Sequence, residues 1–329
     1  MARPRSEKVK ELGQRLAARL SDGFYRPGER FLSNRAIAAK FDVSYQTADR
    51  LVREMVRAGL LERRAGSGTY VPGPRSAIKG VQLFFHPRAQ RESSFGARLL
   101  QALTARLERD HIDWKLAWTG KAPALLPGLF PVIWESPDSL RACVREKRSA
   151  LLLNDQPPLG MDSVFVDSVA TDDFSGGACA AQLLQQRAGA GSGFAVLSGP
   201  KDDTRSMRRV AGFTSMLKAQ VISAGGWFFE NGFRTAAAVL KRKPAGVFCC
   251  NDRLAEGLLA YCGTRKITAP QVVGFDDAPV AERLNLTTIA IPWEELISGS
   301  LAVIKKRLSG DASTSSQQVF MPRPVVRGL

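Results

Sequence analysis

The chain has 329 residues, and 47 Lys and Arg against 31 Asp and Glu leave a formal net charge of +16. That excess favours a polyanionic partner, nucleic acid or an anionic surface, while an apolar fraction of 44% supports real cores and excludes global disorder. No apolar run approaches the roughly 18–20 residues that span a bilayer, two histidines (His86 and His111) exclude a multi-histidine metal site, and about 150 residues per domain predicts two or three domains.

The chain opens MARPRSEKVK, straight into charges with no apolar stretch, so no secretory leader is expected. Residues 1–75 hold 16 basic and 8 acidic side chains, half of the net charge in under a quarter of the length, which makes this piece the candidate for touching DNA. Ser6 is placed to cap a helix with Val9, Leu12, Leu16 and Leu20 on one face, ended by Gly23 and the Pro27-Gly28 turn. Ser33 caps a short helix over 34–41, and Ser44 caps a third whose inward face is Ala48, Leu51, Val52 and Met55. Tyr45, Gln46, Asp49, Arg50 and Arg53 are left outside. Two short helices joined by a tight turn, with a polar face opening the second, describe a helix-turn-helix. Beyond Gly59, LLERR, Ala65-Gly66-Ser67-Gly68 and Thr69-Tyr70-Val71 predict a hairpin wing, with Arg63 and Arg64 placed for phosphate contacts.

The string PGERFLSNRAIAAKFDVSYQTADRLVREMVRAGLLERRAGSGTYV resembles the GntR family of bacterial winged-helix regulators over roughly residues 6–72. The resemblance implies that Arg35, Ser44, Tyr45, Gln46, Thr47 and Gly66 approach DNA. Asp49, Arg50 and Arg64 complete the expected DNA-facing set. Leu32 and Asn34 replace a usual proline and glutamate, and Tyr45 and Asp49 stand where the family commonly has base-reading arginines. An altered operator sequence is therefore expected, because Asp49 offers only acceptors. The alternative for Asp49 is that it points to solvent or pairs with Arg53 one helical turn on. One winged helix buries little surface, so a homodimer on a palindromic operator is expected.

Residues 73–78 are turn-rich and read as a linker between a 1–72 DNA-binding domain and a 79–329 effector-binding and dimerisation domain. Strand and helix signals then alternate: strands at 78–85, 150–153, 164–166, 194–197, 246–250 and 271–275, helices at 95–108, 176–186, 208–218 and 254–261. Repeated βα units predict doubly wound parallel sheets, and some 250 residues of them predict two lobes with a cleft. Asn251-Asp252 and Asp276-Asp277 fall at strand ends, where open α/β sheets bind ligands. The five cysteines show no metal-ligand spacing, and adjacent Cys249 and Cys250 suit a buried strand end, so a reducing cytoplasm is expected.

DDFSGGACAAQLL, FAVLSGP, RRVAGF, AGVFCCNDRLAEGLLA, VVGFDDAPVAERLNLTTIAIP and the closing PVVRG resemble the LacI-type effector domain, itself similar to periplasmic sugar-binding proteins. The winged helix joined to it resembles the architecture of the arabinose repressors of some bacteria. The resemblance implies effector contacts from Arg209, Asn251 and Asp276, and a cleft aromatic at Trp293. It also implies one lobe of 79–167 with 290–320 and another of 168–289 with 321–329. A polyhydroxyl ligand fits these groups: Asp276 accepts from vicinal hydroxyls, Arg209 donates in a fork, Asn251 does both, and an indole face covers C–H groups. The structural alternatives are an Arg209–Asp276 ion pair, a strand-end cap at Asn251 and plain core at Trp293. The predicted fold is α/β, an N-terminal winged helix-turn-helix plus a two-lobed periplasmic-binding-protein-like domain. The predicted function is a regulator whose partners are operator DNA, a small-molecule effector (a sugar) and a second copy of itself, with no cofactor, metal or membrane. The rivals are a sugar-modifying enzyme and a sugar-binding protein, each with a basic N-terminal module. The glycines at 189, 191 and 193 follow a helix and precede a strand, the wrong order for a dinucleotide fingerprint.

Overall fold

The structure, a computed structural model, describes residues 5–22, 24–26, 28–64, 67–72, 78–119, 124–157, 165–188, 193–311 and 313–328. The chain divides into two compact units, Met1–Ile78 with Arg307–Ala312, and Lys79–Lys306 with Ser313–Leu329.

The first unit holds α1 (Arg5–Ser21), α2 (Asn34–Phe41) and α3 (Tyr45–Arg57), followed by an antiparallel hairpin of β1 (Glu62–Arg64) and β2 (Gly68–Tyr70). Helix α1 is described from Arg5, so Ser6 falls within its first described turn. Ser33 accepts from the Ala36 amide at 3.1 Å and Ser44 from the Thr47 amide at 3.1 Å, so both short helices start where their caps are encoded. Leu12, Leu16 and Leu20 of α1 pack on Ile37 and on Ala48, Leu51, Val52 and Met55 of α3, all buried. The expected turn residues Gly23 and Pro27 lie outside the described residues.

The second unit carries two six-stranded sheets. The first is made of β3 (Gly80–Phe85), β4 (Asp113–Trp118), β5 (Leu129–Trp134), β6 (Ala150–Leu153) and β7 (Val166–Thr171). Its helices are α4 (Phe95–Arg109) and α5 (Pro137–Arg145). The chain then crosses over through α6 (Asp173–Ala188) to β8 (Phe194–Ser198), α7 (Thr204–Met216), β9 (Ala219–Ser223), α8 (Phe229–Leu240), β10 (Gly246–Cys249), α9 (Asp252–Arg265), β11 (Gln271–Asp276), α10 (Pro279–Arg283) and β12 (Thr287–Ala290). It returns through α11 (Trp293–Leu308) and β13 (Gln317–Phe320) to the first sheet, and ends on β14 (Arg323–Val325) in the second. The orders are β13-β7-β6-β5-β3-β4, all parallel, and β14-β12-β11-β10-β8-β9, parallel except for β14. Each sheet therefore reverses its winding once, between β3 and β5 and between β8 and β10, the switch points where such sheets leave a crevice at their carboxyl ends.

Two expectations need correction. The first crossing does not fall at residue 167: β7 pairs with β6 and β13 through Thr171, so Ser168–Thr171 belong to the first sheet. The helix expected at 208–218 starts at Thr204, because Asp203 caps it by accepting from the amides of Arg205 and Ser206. Gln317 and Gln318 open β13, whose alternating half-exposed positions suit a sheet edge.

Helices α6 and α7 touch backbone to backbone. A β-carbon on Gly212 would stand 1.9 Å from the Phe174 carbonyl oxygen, and one on Gly177 2.1 Å from that of Arg209. Gly212→Ala is therefore expected to cost about 3 kcal/mol by overpacking. Urea unfolding measures it, and a loss below about 1 kcal/mol would contradict so close an approach.

Candidate functional site

On the first unit, the start of α3, the start of α2 and the wing enclose one groove, lined among others by Arg30, Arg35, Tyr45, Asp49 and Arg63. Tyr45 is 56% exposed there. The Asp49 carboxylate is fully engaged: one oxygen accepts from Asn34 at 2.9 Å and meets Arg63 of the wing at 2.5 Å, and the other meets Arg53 at 2.6 Å. The Arg63 guanidinium holds this carboxyl below the usual carboxylate range. Asp49 thus ties α2, α3 and the wing together and presents two arginines, a different arrangement from the acceptor facing bases that its position predicts. Arg50 lies on another flank of α3, toward α1, near Glu54 at 4.0 Å, so the structure does not bring it into the groove. Ser44 and Gln46 are exposed at the start of α3, and the Ser44 and Thr47 hydroxyls share a 2.8 Å hydrogen bond. Gly66 lies outside the described residues, and Arg64 is described only as part of β1.

On the second unit, a cavity of about 860 Å³, counted out to its open mouth, lies between the two sheets at their carboxyl ends. Its wall takes Arg88 from beyond β3, Trp134 from the end of β5, Asn154 from beyond β6, Asn251 from beyond β10 and Asp276 from the end of β11. Three residues at strand ends are left-handed: Glu135 with φ 51°, Asn154 with φ 49° and Asp276 with φ 103°. Conformations of that kind cost about 1–3 kcal/mol each and concentrate at functional sites. Trp134 sits where it does because α4 offers Gly96 beneath it, where a β-carbon would stand 2.3 Å from the indole.

All four residues singled out from the sequence line this cavity. Arg209 is buried. Its Nε donates to Asp173 at 2.7 Å, and its Nη1 to the Cys250 carbonyl at 2.6 Å and to Asp276 at 3.2 Å, with the Phe275 ring 3.7 Å away. Burial pushes the Asp276 carboxyl up to about 6 against the pull of Arg209. The ion-pair alternative for these two is therefore present, within the wall of the cleft itself. Asn251 is in part the cap: its Oδ1 accepts from the Leu254 amide and its Nδ2 donates to the Trp227 carbonyl, both at 2.9 Å. One acceptor and one donor of its amide are thus spent on the fold. Trp293 opens α11, with its ring 4.9 Å from that of Phe95 and the Arg98 guanidinium over its face at 4.4 Å.

The lobes are laced together beside the cavity. Arg205 of α7 pairs with Glu135 of the first sheet and with Asp203, and the Thr204 hydroxyl donates to Asp155 at 2.9 Å. Burial raises the Asp203 carboxyl, but Arg205 overcomes this and brings it to about 2. At the mouth, Arg91 meets Glu230 at 2.5 Å, between exposed side chains.

Residues 8–71 match the gntR family of bacterial regulatory proteins, and residues 190–328 match the periplasmic binding protein-like domain. The chain thus carries a gntR-type segment ahead of a periplasmic binding protein-like one. The HTH-type transcriptional repressor PurR of Klebsiella pneumoniae is 27% identical over 215 residues, 61% of this chain and 62% of that protein. The HTH-type transcriptional regulator MalR of Streptomyces coelicolor is 27% identical over 146 residues, 40% of this chain and 42% of that one. The chain thus spans under two thirds of the length of these relatives. The fold is that of LacI-family regulators. A ribose-bound regulator of that family from Enterococcus faecium superposes with a TM-score of 0.63 at 21% identity over 75% of this chain and 97% of that one. The complex of the transcriptional regulator CelR with cellobiose does so at 0.65 and 19%, over 99% of both chains.

Among the cleft residues that sequence reasoning missed are Arg88, Arg98, Trp134, Asn154, Arg205 and Trp227. Four of these come from 79–160, ahead of the matched segment.

Proposed function

We propose that this protein is a bacterial transcriptional regulator whose operator affinity is set by a small molecule of the sugar class bound between its lobes. The observation that carries this reading is one chain joining a gntR-type winged helix to a periplasmic binding protein-like segment, with a cavity lined by polar and aromatic side chains at the switch points of both sheets. The solved relatives that hold ribose and cellobiose support the ligand class. Residues 1–72 bind DNA, 73–78 link, and 79–329 bind the effector and dimerise, so that two reading heads meet a palindromic operator in the cytoplasm. Arg35, Tyr45 and Gln46 face DNA, with Ser44 and Thr47 fixing the start of the reading helix. Arg209, Asn251, Asp276 and Trp293 contribute the effector wall. A ligand biases the operator-binding equilibrium only through unequal affinity for its states, and the lattice of Arg205, Glu135, Thr204 and Asp155 is the element such a ligand reinforces. Selection of binding sites from random DNA with the full chain tests the reading: a two-fold symmetric motif is expected, and no enrichment contradicts it.

Asp49→Ala removes a negative charge and frees Arg53 and Arg63 from their shared anchor. The ratio of operator to non-specific affinity is expected to fall about tenfold, since a held double donor is worth about 1–3 kcal/mol of base discrimination. Competition with non-specific DNA measures it, and an unchanged ratio contradicts the anchoring role.

A further inference from the structure

Six arginines line the cleft, and five of them have carboxylate partners. Arg88 pairs with Glu135, Arg91 with Glu230, Arg205 with Glu135 and Asp203, Arg209 with Asp173 and Asp276, and Arg253 with Glu256. Arg98 differs: among the described residues no carboxylate oxygen pairs with it. Its Nη1 reaches only the Asp277 carbonyl, at 3.3 Å, and its plane lies over Trp293. It is half-buried on α4, and burial lowers its pKa against the pull of Asp276, Asp277 and Asp252, none of which pairs with it directly.

The rest of the wall points the same way. Five buried side-chain nitrogens lack a hydrogen-bond partner among the described residues: Arg88 Nε, Trp134 Nε1, Asn154 Nδ2, Trp227 Nε1 and Trp293 Nε1. Every one belongs to a cavity-lining residue, and every one is a donor. The Asn154 amide cannot be turned over to offer its oxygen, because that oxygen already accepts from the Thr171 backbone N–H at 3.3 Å and from its hydroxyl at 3.0 Å. Carboxylates on the wall are few: Asp276, one of whose oxygens accepts from Arg209, and Glu92, which is exposed. A hydroxyl group brings one proton for each oxygen and needs acceptors around it. A carboxylate or phosphate brings acceptors alone.

We infer that the effector is an acidic, oxygen-rich small molecule, a sugar that carries a carboxylate or a phosphate ester, with its oxyanion held at Arg98 and the neighbouring N–H donors. This rests on the regulator reading above and narrows its ligand. The Trp293, Phe95 and Trp134 rings, with centroids 4.9 and 6.3 Å apart in turn, cover the C–H side of the same molecule.

Thermal shift and calorimetry on the full chain test it with three sets of probes: gluconate and glucuronate, glucose 6-phosphate, and neutral glucose and ribose. Inorganic phosphate and sulfate serve as ions without a sugar body. At least one acidic sugar is expected to bind more tightly than every neutral sugar and both inorganic ions. Which acidic set responds identifies the carboxylate or the phosphate ester. Arg98→Met is expected to weaken that acid at least about tenfold, the loss of one charge-assisted contact, and to leave a neutral sugar unaffected. Trp293→Phe, which keeps the ring and deletes the N–H, is expected to weaken it severalfold. A neutral sugar that binds tighter than its acid counterpart, an acid whose affinity ignores Arg98→Met, or inorganic phosphate binding as well as the sugar acids overturns the inference. If a neutral sugar then shifts operator affinity, the regulator reading stands without it. If no probe binds, the narrowed ligand class falls, while operator selection still tests the regulator reading separately.

Discussion

Arg209→Ala is expected to lower the unfolding free energy of the two-lobed unit by about 3–5 kcal/mol at neutral pH, the cost of removing one partner from a buried ionic cluster. Arg209 is 3% exposed and serves Asp173, Asp276 and the Cys250 carbonyl at once. Without it, Asp173, also 3% exposed, is a buried carboxylate with no cation paired to it, and its carboxyl is already pushed up by burial. The pH dependence has a definite sign. In the variant the folded-state pKa of Asp173 rises further above its unfolded value, so the folded state binds the proton more tightly. The deficit is therefore fullest above that raised pKa and shrinks as pH falls toward the unfolded value. Urea unfolding of wild type and variant at pH 7 and pH 5 measures both effects. Arg209→Met combined with Asp173→Asn, which removes the stranded charge, is expected to recover part of the loss. A deficit below about 1 kcal/mol at pH 7, or one that grows on acidification, contradicts the cluster as described.

Operator affinity is expected to fall on the order of 10³-fold between 50 and 200 mM salt, as counterion release predicts for a dimer that neutralises about six or more phosphates. The groove on the first unit is bordered by Arg30, Arg35 and Arg63, and residues 1–75 carry a surplus of eight positive charges. Arg63→Gln is expected to reduce the salt slope by about one for each reading head, since it removes one positive contact. Fluorescence anisotropy over a salt series reads both slopes. A drop of less than about tenfold for wild type would mean that these arginines do not meet the phosphate backbone.

The parts of the fold that were legible in the sequence are those whose signals are local. Ser33 and Ser44 mark the starts of α2 and α3, and the spacing of Ala48, Leu51, Val52 and Met55 names the face of α3 that is buried. Asp49 was half legible: its partner Arg53 is one turn away, but Arg63 arrives from a wing 14 residues on, which no periodicity reports. Arg209, Asn251, Asp276 and Trp293 could be placed at the cleft because each lies in a quotable motif beside a recognisable strand or crossing. The first lobe gave no such handle. The apolar runs mark the ends of β3 and β6, but β5 is buried on almost every residue, shows no alternation and is not read from pattern. With β5 unread and no motif beside the other strand ends, Trp134, Asn154 and Arg98 could not be assigned to the cleft. Their roles depend on the left-handed turns after β5 and β6 and on a glycine in α4 that admits an indole.

The measurement that tests the central claim most directly is the affinity of the full chain for its selected operator, with and without a saturating amount of the compound that most raises its melting temperature. Coupling through lobe closure predicts that the dissociation constant moves at least about fivefold, the lower edge of typical allosteric coupling. By reciprocity, operator DNA must shift the affinity for the compound by the same factor. Superimposable DNA-binding curves, with the compound bound in the cleft throughout, would contradict the account.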